Sequence, residues 1–135
     1  MNSINIEFID HKGRSSIHLG DYLIESRNVE HGRMKPAFGY IVHKDGKKVG
    51  FSGDSMYCSA IDKIVEDADI SILDMSLKDQ GNQSHMGYLD IKNICNKYKN
   101  KTIIATHMRR SARDVGIKNP IKNLIIPGEN YEINI

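Results

Sequence analysis

A chain of 135 residues fits one domain and can bury roughly two thirds of its unfolded surface. Its 39% hydrophobic and 27% charged residues exclude a disordered tract, and a net charge of +2 is too small to imply a nucleic-acid partner by itself. No apolar run approaches the ~20 residues of a membrane span, the start Met1-Asn2-Ser3-Ile4-Asn5 lacks a signal peptide's apolar stretch, and Cys58 and Cys95 show no zinc-finger or redox spacing, so no membrane partner and a reducing cytoplasm are expected.

In chain order, Ile4–Ile9 alternates as a strand, His11–Arg14 is turn-like, and Asp21–Ser26 is a second extended run. Phe38–His43 and Lys48–Ser52 flank Lys44-Asp45-Gly46-Lys47, and an Asp-Gly between β-prone runs predicts a hairpin. The period then changes. Ala60, Ile61, Ile64, Val65 and Ala68 fall at helical spacing, followed by a short strand over Ile70–Asp74 and a polar loop over Lys78–Gln83. A helix over about Tyr88–Lys97 is expected to turn Leu89, Ile91, Ile94 and Cys95 towards a core, and Thr102–Ala105 reads as a buried strand. Leu124–Ile126 and Tyr131–Ile133, around Pro127-Gly128-Glu129, suggest a closing hairpin. Hairpins followed by α-β-α-β-β make a mixed α/β layer.

Three residues carry most of the chemical information: Asp54 in Phe51-Ser52-Gly53-Asp54-Ser55, His85 after Gln83-Ser84, and His107 after Ile103–Thr106. Asp54 and His107 close β-prone runs, and strand ends in a layered α/β domain converge on one edge. A carboxylate and imidazoles there suit a hard or borderline metal such as zinc. Each also has a plainer reading: Asp54 as a helix cap or Asx-turn residue, His107 as a satisfied buried histidine, His85 as a loop histidine. Asp74, ending the preceding strand, either orients an imidazole or is a solvated strand-end carboxylate. Arg109, Arg110 and Arg113 form either a phosphate clamp or a solvated basic loop. His11, His18 and His43 are expected at the surface without partners, and Tyr22, Tyr40 and Phe38 in the core.

Taken together, these segments resemble the C-terminal half of the metallo-β-lactamase fold, most closely its ribonuclease Z-like branch. Glu30-His31-Gly32-Arg33-Met34-Lys35-Pro36-Ala37-Phe38-Gly39-Tyr40 looks like that branch's His-x-x-Pro-x-x-Gly-Tyr stretch with altered spacing. Gly53-Asp54-Ser55 is similar to the Gly-Asp-Thr motif whose Asp bridges two metals. Ala68–Asp74 is similar to a segment that usually ends in Glu. Ser84-His85-Met86 followed by Asp90 resembles the catalytic-His loop, Thr106-His107 the last metal-ligand motif, and Ile126-Pro127-Gly128 with Tyr131-Glu132-Ile133 the final hairpin.

The resemblance implies a mixed sheet with helices on one face, forming half of an αββα sandwich. The 135 residues then read as one half-domain, natural or a fragment of a longer chain. It implies a zinc-dependent hydrolase of phosphodiester bonds, RNA among them, with two metals per complete site. Asp54 and His107 would be metal ligands, His85 and Asp74 the catalytic pair, and Arg109 and Arg110 the phosphate contacts. The family's His-x-His-x-Asp-His motif is absent, and no separate ligand His is expected before the matched region. Two ligands are fewer than the three a catalytic zinc site uses, so metal should bind this chain alone weakly or not at all. The chain is expected to homo-oligomerise or to pair with a separate N-terminal half, and the alternative function is a non-catalytic half-domain that pairs in the same way.

Overall fold

A computed structural model of the chain describes residues 16–135. The expected strand at Ile4–Ile9, the turn at His11–Arg14 and His11 itself lie outside the described residues. The described chain runs β1 (Ser16–Leu19), β2 (Tyr22–His31), β3 (Met34–Lys44), β4 (Lys47–Phe51), α1 (Ser59–Asp67), β5 (Ile70–Asp74), α2 (Tyr88–Lys97), β6 (Thr102–Thr106), α3 (Arg110–Lys118) and β7 (Leu124–Ile125). These strands form one sheet in sequence order. The pairs from β1 to β4 are antiparallel, and those from β4 to β7 are parallel.

Local chemistry explains the switch. The β3–β4 connection is a tight turn with Asp45 at φ 50° and Gly46 at φ 76°, left-handed values that suit a two-residue hairpin. After β4 each return passes through a helix, as parallel pairing requires. Right-handed crossovers that always step the same way along a sheet place their helices on one face. On that face Ile41 pairs with Gly50, Gly50 with Ser71, and Ser71 with Ile103. This row lies beneath the helices, and a Cβ at Gly50 would come within 2.6 Å of Ile64 on α1. Ile61, Ile64 and Val65 of α1 and Ile91, Ile94 and Cys95 of α2 join Leu73, Ile103 and Ala105 in one core. Asp62 on α1 accepts hydrogen bonds from Lys97 Nζ (3.0 Å) and Tyr98 Oη (2.8 Å), tying α1 to the end of α2.

The opposite face carries a second apolar row, since side chains alternate along a strand. Tyr40, Phe51, Ile72 and Ile104 stand in register across β3 to β6, with Phe51 41% exposed. Among the described residues no helix is long and apolar enough to cross a membrane.

Several expectations need correction. Leu89 does not enter the core; it is exposed on α2. Tyr22 is also exposed, and its hydroxyl accepts from Lys44 Nζ at 3.2 Å. The residues after Ile125 form no closing hairpin, and Leu124–Ile125 instead adds a parallel strand to β6. The basic run after His107 is a helix rather than a loop. His43 has a partner, its Nε2 lying 2.8 Å from Glu25 Oε2.

Burial also sets thiol chemistry. Both cysteines are free, and Cys95 in α2 is 1% exposed, which pushes its thiol up to about 11. Alkylation of the native chain is expected at the partly exposed Cys58 well ahead of the buried Cys95. Peptide mapping after brief iodoacetamide treatment checks this; equal labelling would contradict it.

Candidate metal and catalytic site

The carboxyl ends of β4, β5 and β6 lie on one edge because these strands are parallel, and β2, antiparallel to β3, ends there too. That edge gathers the polar chemistry. Gly53, two residues past β4, has φ 60°, and a Cβ there would lie 2.9 Å from the Phe38 carbonyl oxygen. Glycine therefore permits the bend that presents Asp54. Asp54 does not cap α1, whose N-cap is Cys58, so the cap reading of that aspartate fails.

His107 follows β6 with φ 53°, a left-handed conformation that costs a non-glycine residue about 1–2 kcal/mol. Its carbonyl lies 3.0 Å from Ser76 Oγ, and its ring is half exposed rather than buried. His107 Nε2 stands 3.6 Å from Asp54 Oδ2. One donor atom each from Asp54, His85 and His107 lie within 4.8 Å of one another. Two imidazoles and a carboxylate match the donor preferences of a borderline divalent metal, so the residues present fit such an ion.

Asp74 ends β5 with no solvent exposure, which removes the reading of a solvated carboxylate. Its Oδ2 lies 2.7 Å from His85 Nδ1 and accepts from the Ser55 amide at 3.1 Å. Its Oδ1 lies 2.9 Å from the Ser76 amide and 2.8 Å from Ser76 Oγ. The Asp74 amide in turn donates to Ser52 Oγ at 2.9 Å. A carboxylate so surrounded fixes the imidazole's orientation and places the proton on Nδ1, which leaves Nε2 as the reactive nitrogen. His85 is 17% exposed, and its ring stacks on His107 at 5.3 Å between centroids and 28° between planes.

A third histidine joins this group. His31, at the end of β2, meets His85 edge to face with centroids 4.9 Å apart. Its Nδ1 lies 2.8 Å from the Ser84 carbonyl, which can only accept, so Nδ1 carries the proton and the Nε2 lone pair is free to bind. His31 lies in the stretch that resembles the His-x-x-Pro-x-x-Gly-Tyr segment, but the sequence reading gave it no place beside His85. The available signal was direction: two antiparallel turns bring the end of β2 to the same edge as the end of β4.

The arginines divide. Arg109 is exposed at the N-cap of α3 and lines a shallow groove with Ser76, Leu77, Lys78, Asp79 and Gln80, beside the site. Arg110 begins α3 and is exposed. Arg113 donates to the Pro127 carbonyl at 2.6 Å and so holds the C-terminal segment.

Comparison with known proteins gives the geometry a family. No protein of curated function matches the sequence. Among solved structures, a possible metal-dependent hydrolase from Veillonella parvula superposes with a TM-score of 0.71 at 19% identity, over 90% of this chain and 57% of that one. A diphosphatase from the PhnP family gives 0.71 at 16% identity, over 90% and 46%. Human tRNase Z, short form, gives 0.56 at 20%, over 71% and 40%. The chain thus spans about half the length of these structures, and the likeness establishes the fold: a mixed seven-stranded sheet with three helices. A family described as the β-lactamase superfamily domain matches residues 2–108. That match takes in Asp54, Asp74, His85 and His107 together, and the chain belongs to the β-lactamase superfamily.

Proposed function

We propose that this chain contributes one half of a zinc-dependent hydrolase of phosphodiester or diphosphate bonds, in the manner of a ribonuclease Z-like enzyme. The observation that carries the reading is the 2.7 Å Asp74–His85 pair beside the Asp54 and His107 donors. Metal ligands alone would fit many roles, but an imidazole backed by a buried carboxylate next to them fits proton transfer during hydrolysis. The diphosphatase and the human tRNase Z among the structural neighbours support phosphorus–oxygen bonds as the substrate class.

Asp54 and His107 would hold the ion, and His31 meets the ring of His85 at the same edge. A bound zinc would supply Lewis-acid polarisation and activation of water. The chain's own residues do the rest. Asp74 stabilises the imidazolium form of His85, whose Nε2–H passes its proton to the leaving oxygen as the phosphorus–oxygen bond breaks, leaving a neutral ring that keeps the Nδ1 proton. Arg109 and Arg110 attract the phosphate. RNA is the favoured polymer, and two unpaired cysteines suit a reducing cytoplasm.

The ligand set of one half is thin, so activity should depend on a complementing N-terminal half. The chain alone is expected to hydrolyse bis(p-nitrophenyl) phosphate poorly, and addition of a separately produced N-terminal half of a structural neighbour should raise the rate and the bound zinc together. Robust zinc-dependent hydrolysis by the chain alone would show that the ligand set is larger than proposed. The second reading, a non-catalytic half-domain that pairs with itself, is favoured by the apolar row Tyr40–Phe51–Ile72–Ile104. A metal-loaded, reconstituted protein without hydrolytic activity would support it.

A further inference from the structure

The segment from β5 to α2 carries His85 and has little regular structure, yet it is closely tied. Asp90, in the first turn of α2, is 8% exposed. Its Oδ2 accepts from the Gly87 amide at 2.9 Å and from the Gly81 amide at 2.8 Å. Its Oδ1 accepts from Gln80 Nε2 at 2.6 Å. The Gly87 bond is what any helix gains from an acidic residue at this position. The other two reach back nine and ten residues and close the loop on itself.

Inside that closure, Asn82 holds His85 by both backbone groups. Asn82 Oδ1 accepts from the His85 amide at 2.9 Å and from the Ser84 amide at 2.8 Å, and the Asn82 amide donates to the His85 carbonyl at 2.9 Å. The opposite side is pinned by the β2–β3 turn, where the Gly32 amide donates to the Gln83 carbonyl at 2.8 Å. A side chain facing Asp74 is only as well placed as the backbone that carries it.

We propose that Asp90 is a positioning residue: its carboxylate closes the loop over Gln80 and Gly81, and through Asn82 it sets His85 against Asp74. Its importance for hydrolysis rests on the reading of His85 given above, whereas the positioning itself does not. Helix capping alone needs only the Gly87 bond. The Gln80 and Gly81 bonds have no capping role, and they place a buried carboxylate at the crossing point of the loop.

The test separates these roles in the metal-free chain. In Asp90→Ala, hydrogen exchange at the Ser84 and His85 amides should quicken about tenfold or more, and the Nδ1–H resonance of His85 should broaden or vanish. Asp90→Asn should restore both, since its amide oxygen can serve the glycine amides while Gln80 turns its own oxygen to the new NH₂. Gln80→Ala leaves the helix cap intact, and it should quicken exchange over residues 81–85 but not in α2. It also keeps the test open if Asp90→Ala fails to fold. In the reconstituted enzyme, Asp90→Ala should lower kcat by about 10- to 100-fold with little change in KM. Unchanged exchange and an unchanged His85 resonance in both alanine variants would overturn the proposal and leave Asp90 a helix cap. Should His85→Ala prove fully active while these signals still respond, the functional reading fails and the positioning stands.

Discussion

Replacing Asp54 or His107 with alanine is expected to strip metal from the reconstituted protein and abolish hydrolysis, whereas His85→Ala should keep the metal and slow turnover by roughly 10²–10⁴-fold. The contrast follows from the geometry. Asp54 and His107 are about half exposed and face each other at 3.6 Å. His85 is partly buried and committed through Nδ1 to a carboxylate that solvent does not reach. Carboxylate-backed imidazoles also occur as metal ligands, so the experiment decides between the two uses. Metal content by mass spectrometry, measured beside the rate for each variant, gives the answer. Loss of zinc in His85→Ala equal to that in His107→Ala would make His85 a third ligand and remove it from proton transfer.

The second large effect concerns stability. Asp74→Ala deletes the acceptor that serves the Ser55 amide, the Ser76 amide, the Ser76 hydroxyl and the His85 ring. The two amides would be left in a buried site, and each unsatisfied donor costs about 1–3 kcal/mol. A loss near 3 kcal/mol or more is therefore expected in urea unfolding. Asp54→Ala, at an exposed position, should change the midpoint little. A destabilisation by Asp74→Ala of less than about 1 kcal/mol would mean that the network relaxes or admits water.

How far the sequence could be read depended on where each element's stability comes from. The boundaries of β5 and α2 were legible because their own residues carry the signal: a short apolar run in one, and Ile91, Ile94 and Cys95 at helical spacing in the other. The β3–β4 turn announced itself through Asp45-Gly46. Helix α3 carried no such signal. Only Ala112 and Gly116 of its nine residues are buried, and a Cβ at Gly116 would meet Ile126 at 2.7 Å. Its position is chosen by close approach to a distant segment, which no local period records. The tail misled for the opposite reason, since Tyr131–Ile133 alternates like a strand but pairs with nothing among the described residues. At the site, Asp54 and His107 stood out by closing apolar runs, and His85 by standing where a polar loop gives way to a helix. His31 did not, because its place depends on the directions of three strands rather than on its neighbours in sequence.

The brevity of β7 governs how this molecule can meet another. Strand β6 is matched to β7 only at Ile103 and Ile104, and a two-residue border offers an incoming strand almost no ladder to extend. Short borders of this kind guard against the stacking of sheets edge to edge into open-ended fibres. An approaching chain would find far more purchase on the broader surface of Tyr40, Phe51 and Ile72, where contact closes on itself and growth stops at a finite complex.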